Sequence, residues 1–159
     1  MKVVPARSRV IVETTARGVL AAAGHDLRIE APVAEGEADD EKCVAKFRVA
    51  EMRVAEMRRH GTKTWGAPTS DAGDIELRVR DEAFPSLKEI VVEATRETIT
   101  VRAARSQTVK TNASITPSRV EGTCELSLAA LGVGKIRVPL GAIKLDDGIG
   151  VTYVIVLEE

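Results

Sequence analysis

The sequence predicts a mainly β protein whose antiparallel strands roll into a barrel or stack as a sandwich. Most apolar residues stand in short segments where they alternate with charged or polar residues, most clearly in residues 26–30 and 120–128. This alternation places the apolar side chains on one face of a strand. Only one segment has the apolar spacing of a helix. A barrel is either filled by its own side chains or holds a ligand, and the function depends on which is true.

The composition indicates a single domain, residues 1–159, that can bury a substantial core. There are 23 basic and 24 acidic residues, and the net charge of -1 provides no general attraction to nucleic acid or anionic membranes. Aromatic residues make up only 3% of the chain, too few for a platform on which single-stranded nucleic acid stacks. We therefore expect no nucleic-acid partner.

The beginning of the chain is charged and lacks the apolar core of a signal peptide. We expect a cytoplasmic protein, or a periplasmic one if a signal peptide has been removed. No apolar run is long enough for a membrane-spanning helix, so no integral membrane segment is expected. The two cysteines, Cys43 and Cys124, cannot form a disulfide scaffold. Cys124 stands on the apolar side of its strand, which is typical of a buried thiol.

In the first half of the chain, alternation predicts strands over residues 8–14, 18–23, 26–33 and 42–50. The acidic residues 35–41 contain a glycine and predict a solvated turn. A five-residue duplication, residues 48–52 and 53–57, fits neither strand nor helix periodicity and is interpreted as strand passing into loop. Residues 60–68 contain glycine and proline and predict a loop.

A helix is predicted over residues 72–84. Residues 69–71 offer an N-cap, and a proline directly after the segment ends it. Ile75, Val79 and Ala83 follow at intervals of four and form one apolar stripe, with which the helix is expected to pack on the sheet.

The second half of the chain is strand-like. Strands are predicted over residues 89–94, 98–103, 109–115, 119–128, 135–140 and 150–157, with the first two forming a hairpin. Residues 146–148 read Asp-Asp-Gly, a tight-turn signal. The last strand is nearly continuously apolar, which suits a strand buried on both faces, as where a helix covers the outside of a barrel.

The sequence contains no catalytic signature. Its two histidines, His25 and His60, are too few and too far apart for a zinc site, and we expect neither a metal nor another cofactor. The pair His25-Asp26 is either an imidazole oriented by a carboxylate or a turn with internal hydrogen bonds. No nucleophile elbow is present, and residues 132–135 lack the full phosphate-loop pattern. These observations favour a binding module over an enzyme.

Three stretches, taken in order, resemble the YceI-like family. Residues 8–12 and 18–27, including Gly-His-Asp-Leu, are similar to the opening strands of the family. Residues 70–75 and 81–85, together with Ile90, are similar to its helix and the strand that follows. Residues 120–128 and 141–147, together with the last strand, are similar to its C-terminal half. The resemblance implies an antiparallel lipocalin-like β-barrel with one α-helix packed against it. It also implies an elongated apolar cavity for an isoprenoid or similar long-chain amphiphile, often a homodimer, and no fixed catalytic set. Many family members are exported, and their aromatic residues are largely replaced here by alanine, valine and leucine.

The hypothesis is therefore a non-catalytic barrel that binds an apolar or amphiphilic long-chain molecule of isoprenoid or fatty acyl type. The predicted cavity-lining residues are Val10, Val12, Leu27, Ile29, Phe47, Val49, Val92, Ile99, Val101, Leu126, Leu128, Val138 and Val154. Residues at turns and loops are predicted at the cavity mouth: His25, Asp26, His60, Lys63 and Trp65.

Several alternatives stay open. Trp65 could cover the opening or simply anchor its loop by packing. The same apolar pattern also describes a filled barrel that acts as a structural or interaction protein without a ligand. A third hypothesis is a hydrolase or isomerase that uses His25-Asp26, although no partner nucleophile is evident.

Overall fold

The structure is a computed structural model that describes residues 1–17, 24–133 and 144–159. Its strands are β1 (Lys2–Val3), β2 (Arg9–Thr14), β3 (Ala16–Arg17), β4 (His25–Glu30), β5 (Val33–Ala38), β6 (Cys43–Arg48), β7 (Arg53–Arg59), β8 (Glu89–Ala94), β9 (Thr98–Arg102), β10 (Ser106–Lys110), β11 (Asn112–Thr116), β12 (Arg119–Ser127), β13 (Lys144–Leu145) and β14 (Gly148–Glu158). One helix, α1 (Ala72–Arg78), continues into a π-helical turn, Val79–Ala83, and single 3-10 turns cover Pro5–Arg7 and Val49–Glu51. The predicted class, a mainly β fold with antiparallel strands and one helix, is confirmed.

The last strand, β14, joins two arms of a 12-stranded antiparallel sheet. One edge of β14 pairs with β12, and the other edge pairs first with β2 and then with β1. From β2 the sheet continues through β4 to β7, and from β1 it continues through β5, β6, β8 and β9 to β10. The short strands β3 and β13 form a separate pair.

The sheet curls into a lipocalin-like shape, although its hydrogen bonds do not run fully round as in a closed barrel. Among the described strands, β10 pairs with β9 and β11 pairs with β12, and Thr111 alone separates β10 from β11. The chain therefore changes partner at Thr111, which splits the strand predicted over residues 109–115. Across this corner, the Ser127 N–H donates to Gln107 Oε1 at 3.0 Å.

The helix packs where the sequence predicts, through its apolar stripe. Ile75 and Val79 contact a small apolar cluster formed by Leu27, Ile29, Val54 and Met57 on β4 and β7. Glu76 Oε1 accepts a hydrogen bond of 2.8 Å from the Val54 N–H. This contact satisfies a backbone donor on the outer edge of β7, where an unpaired strand edge would otherwise be exposed.

Some predicted elements differ from the structure. In the segment 35–41, β5 extends to Ala38 because the carboxylates of Glu35 and Glu37 point outward, so acidic residues occupy the solvent face of a strand. The second copy of the duplication forms β7, whereas the first ends β6 and enters a 3-10 turn.

The last strand is covered at its end by the N-terminal 3-10 turn rather than by α1. The turn Pro5–Arg7 contacts β14, and the Val156 N–H donates to Ser8 Oγ at 3.0 Å. Within residues 1–17, 24–133 and 144–159, the expectation that a helix covers the outside of this strand is therefore not met. The predicted strands over residues 18–23 and 135–140 lie outside the described residues.

Candidate functional site

The curled sheet and α1 line an apolar cavity of about 360 Å³ that is partly open to solvent. Side chains on alternate positions of both arms of the sheet form its wall. The predicted residues that lie on this wall are Val10, Val12, Leu27, Ile29, Phe47, Val92, Ile99, Val101, Leu126 and Leu128. Except for Leu128, which lies in the turn after β12, their placement follows from strand alternation, because each belongs to the inward-facing set of its strand. Contact with a ligand stays a prediction for all of them.

Two predicted wall residues lie elsewhere. Val154 is half-buried on the other face of β14, because alternation turns Tyr153 and Ile155 inward. Because nearly all residues of this strand are apolar, the sequence did not indicate which alternate residues face inward. Val49 is 2% exposed but lies in the 3-10 turn after β6, where alternation has ended, and it packs in the core away from the cavity. Val138 lies outside the described residues.

The helix contributes a part of the wall that the sequence reasoning did not assign to the cavity. Ile75, Val79 and Ala83 all line the cavity, and Phe84 follows them. The stripe was recognisable from its spacing, but its spacing alone cannot tell whether it faces a packed sheet or an open space. Tyr153 and Val151 of β14 were also missed on the wall.

Polar groups on the wall are few. Arg78 lies on it, but its guanidinium group pairs with Asp74 at 3.1 Å and with Glu82 at 3.6 Å. The hydroxyl of Tyr153 forms a short hydrogen bond with the hydroxyl of Thr111. The wall therefore suits hydrocarbon and offers polar contacts at only a few positions.

Of the predicted mouth residues, His25 lies on the cavity wall. Alternation along β4 turns Asp26 to the opposite face of the sheet, so the predicted grouping of these neighbours at one rim is wrong. His60 and Trp65 contact this outer face, and Lys63 is exposed in the loop after β7. A strand-end position therefore does not bring these residues together at the mouth.

On the outer face, Asp26 is the centre of a buried polar cluster. Its side chain is 2% exposed. Its carboxylate accepts a hydrogen bond from the Ala16 N–H at 3.0 Å and one from Arg58 Nε at 3.0 Å, and it contacts His60 Nδ1 at 3.0 Å. Burial alone raises the pKa of Asp26, but the hydrogen bonds of His60, Ala16 and Arg58 outweigh it and hold this pKa below its usual value. Asp26 therefore orients His60, and the His25-Asp26 pair considered for catalysis does not form.

The ring of Trp65 contacts two guanidinium groups on the same outer face. The guanidinium carbons of Arg28 and Arg58 lie 4.2 and 4.3 Å from its ring centroid. Arg28 also pairs with Glu13 at 3.4 Å and Glu56 at 3.5 Å. These cation–π contacts anchor the loop, and the alternative in which Trp65 covers the cavity is wrong.

Both cysteines are free, buried and on the cavity wall. Burial raises the pKa of Cys43, and it raises that of Cys124 from 9.0 to about 11. We therefore expect the thiolate fraction of Cys124 at pH 8 to be about 100-fold below that of an exposed cysteine. Ellman's reagent should react slowly with the native protein and with two thiols after unfolding in urea.

The matched control for this thiol measurement is Glu125→Cys, which adds an exposed thiol on the opposite face of the same strand. This thiol should react with the reagent at the rate of a free cysteine. Equally fast reaction of the native wild-type thiols would contradict their burial.

Within the described ranges, no three histidine, cysteine, aspartate or glutamate side chains converge as a metal site. No helix among the described residues is both long enough and apolar enough to cross a membrane.

The sequence matches no family model, and no significant match was found among curated proteins. Among solved structures, the crystal structure of BcnA from Burkholderia cenocepacia is similar, with a TM-score of 0.54 and 10% sequence identity. The match covers 98% of this chain and 99% of that chain. At this identity the likeness concerns the fold alone, and it supports a YceI-like, lipocalin-type fold.

Proposed function

We propose that this lipocalin-type fold binds an apolar or amphiphilic long-chain molecule, of the isoprenoid or fatty acyl type, without catalysing a reaction. The observation that carries the proposal is the apolar cavity between the sheet and α1. Its volume of about 360 Å³ falls within the usual range for small-molecule sites. The affinity would come from apolar surface removed from water.

The energetics favour a ligand over the filled-barrel alternative. Apolar side chains that line an unfilled space lack packing partners on one side, and the lost contacts cost free energy. A hydrocarbon chain that contacts the wall would recover much of this free energy, whereas side chains of a filled barrel would leave no such space.

The shape of the cavity favours a long ligand. Along β14 the wall runs from Ile149 through Val151 and Tyr153 to Ile155. The six residue-to-residue steps from Ile149 to Ile155 in an extended strand span about 20 Å. This length suits an extended chain better than a compact ring system.

The first test is organic extraction of the freshly purified protein, followed by mass spectrometry of the extract and native mass measurement of the intact protein. A stoichiometric long-chain species would support the proposal and identify the ligand class. The native mass also tests the predicted homodimer. The proposal would be abandoned if the protein carried no such species and its melting temperature did not rise with saturating hexadecanol, palmitate or geranylgeraniol.

A cavity-blocking variant tests the location of the site. Ala45 is buried on β6 and lines the cavity. We expect Ala45→Phe to weaken binding of the best ligand in this panel by at least about tenfold, because the new ring occupies the space of the chain. Ala50→Phe is the matched control, since Ala50 is exposed outside the cavity. Titrations in which both variants bind like the wild type would place the ligand elsewhere.

A further inference from the structure

Thr14 lies on the cavity wall, and its hydroxyl group lacks a partner among the described residues. Thr14 is 4% exposed, and its Oγ1 atom is buried without a hydrogen bond to any residue that the structure describes. A buried polar atom without a partner costs free energy, and native proteins keep few of them. The unpartnered Thr14 hydroxyl therefore requires an explanation.

The side chain of Thr14 belongs to the inward-facing set of β2. Val10, Val12 and Thr14 follow at intervals of two, and all three line the cavity. Thr14 stands opposite Leu27 on β4, and His25 is the next residue on the same face of β4. The Oγ1 atom itself is buried and not exposed to the cavity, so a χ1 rotation, which exchanges the positions of the hydroxyl and methyl groups, is the step that would turn it toward a ligand.

The backbone beside Thr14 is fixed from the other side of the sheet. Asp26 Oδ1 accepts a hydrogen bond of 3.0 Å from the Ala16 N–H. The carboxylate is in turn held by Arg58 and His60. The polar cluster on the outer face thus holds in place the strand end that carries Thr14, as expected of a binding group supported by a rigid scaffold.

We propose that the Thr14 hydroxyl hydrogen-bonds an uncharged oxygen of the ligand, an alcohol or carbonyl group. This inference rests on the proposed function and names the head-group class for it. An anionic head group fits the wall poorly, because the guanidinium group of Arg78 already pairs with Asp74 and Glu82. A carboxylate or phosphate would lose its hydration without gaining an equivalent charge partner. The imidazole of His25 offers a further hydrogen-bonding nitrogen on the same part of the wall.

The experiment compares undecane, decanol and decanoate at pH 8, with the wild-type protein, Thr14→Val and Thr14→Ser. Undecane replaces the decanol hydroxyl by a methyl group, so the decanol-to-undecane affinity ratio isolates the hydrogen bond. We expect Thr14→Val to lower this ratio by about tenfold. Thr14→Ser keeps a hydroxyl and should retain the ratio within about twofold. The wild type should bind decanol at least about tenfold more tightly than decanoate.

The ligand-free variants provide an independent readout. Thr14→Val removes an unpartnered hydroxyl at nearly constant shape, so its melting temperature should rise by roughly 2–4 °C while decanol binding weakens. If Thr14 contributed only to the stability of the fold, its replacement would not raise the melting temperature and weaken decanol binding at the same time.

The outcomes separate the two proposals. If the wild type binds undecane and decanol but the ratio is unchanged in Thr14→Val, the role of Thr14 is overturned and the proposed function stands. Decanoate binding as tight as decanol binding would overturn the assigned head-group class. If the wild type binds none of the three compounds, the head-group role of Thr14 is overturned, while the extraction and the longer-chain compounds decide the proposed function.

Discussion

Replacement of Asp26 by asparagine is expected to lower the free energy of unfolding by about 3 kcal/mol at pH 7. The buried carboxylate accepts hydrogen bonds from the Ala16 N–H and Arg58 and contacts His60. Asparagine keeps one acceptor oxygen but removes the negative charge, so the guanidinium group of Arg58 loses its ion-pair partner. Urea unfolding followed by the fluorescence of Trp65, the only tryptophan in the chain, measures the change.

The effect of this substitution should depend on pH. The pKa of Asp26 lies below its usual value in the folded protein, so the unfolded chain takes up a proton at higher pH than the folded protein does. The stabilisation by this carboxylate is fully present above about pH 4 and is lost as the pH falls through the lower folded-state pKa. The difference between the wild type and Asp26→Asn should therefore shrink in strong acid, and an equal difference at pH 7 and pH 2 would contradict this explanation.

Glu30→Gln is the control on the same strand. It breaks an ion pair of 3.1 Å with Arg53, whose side chain is 62% exposed. Because exposed ion pairs contribute little, the expected change is below about 1 kcal/mol. A loss as large as that of Asp26→Asn would mean that burial is not what makes Asp26 important.

The second large effect is expected from Gly122→Ala, which should lower the free energy of unfolding by about 3 kcal/mol. Gly122 on β12 stands opposite Tyr153 on β14. An alanine Cβ would lie within 3.0 Å of both the Asn112 carbonyl oxygen and the Tyr153 hydroxyl. Either the backbone must shift or the tyrosine must move and lose its hydrogen bond to Thr111, the residue at which the chain changes partner strand.

Gly150→Ala is the matched control, because Gly150 lies on the neighbouring strand β14 and its added Cβ would meet no atom within 4 Å. Its stability should be unchanged or slightly higher, since alanine restricts the unfolded chain. Thermal unfolding of both variants measures the contrast. Equal stability of the two variants would show that Tyr153 does not need the space above Gly122.

The spacing of apolar residues predicted the fold correctly where it is compatible with only one choice of buried face. The alternation in β4 and β12 gave the correct inward faces, and the four-residue spacing of Ile75, Val79 and Ala83 gave the correct face of the helix. The spacing predicted the wrong face where consecutive residues of a strand are all apolar, as at Val154. It also failed where a turn ends the alternation, as at Val49.

The polar clusters could not be predicted from the sequence, because their members meet only through tertiary structure. Asp26 adjoins His25 in sequence, yet its partner His60 lies on the loop after the neighbouring strand β7. Similarly, nothing local indicates that Thr111 forms a corner and bonds Tyr153. Alternation placed Val10 and Val12 on the inner face, but only the packed structure reveals that Thr14 follows them there and that its hydroxyl lacks a partner among the described residues.

The position of β14 near the end of the sequence has a consequence for how the sheet assembles during protein synthesis. This strand joins both arms of the sheet, and Val3 of β1 pairs with Leu157 at its far end. A ribosome adds about 5–20 residues per second, so β1 and β2 wait roughly 8–30 s for the strand that joins them. During this interval their edges are open to incorrect pairing with other chains. The two arms of the sheet therefore cannot be joined before β14 has been synthesised, and the long-range contacts of the sheet make its assembly slow for a chain of this length.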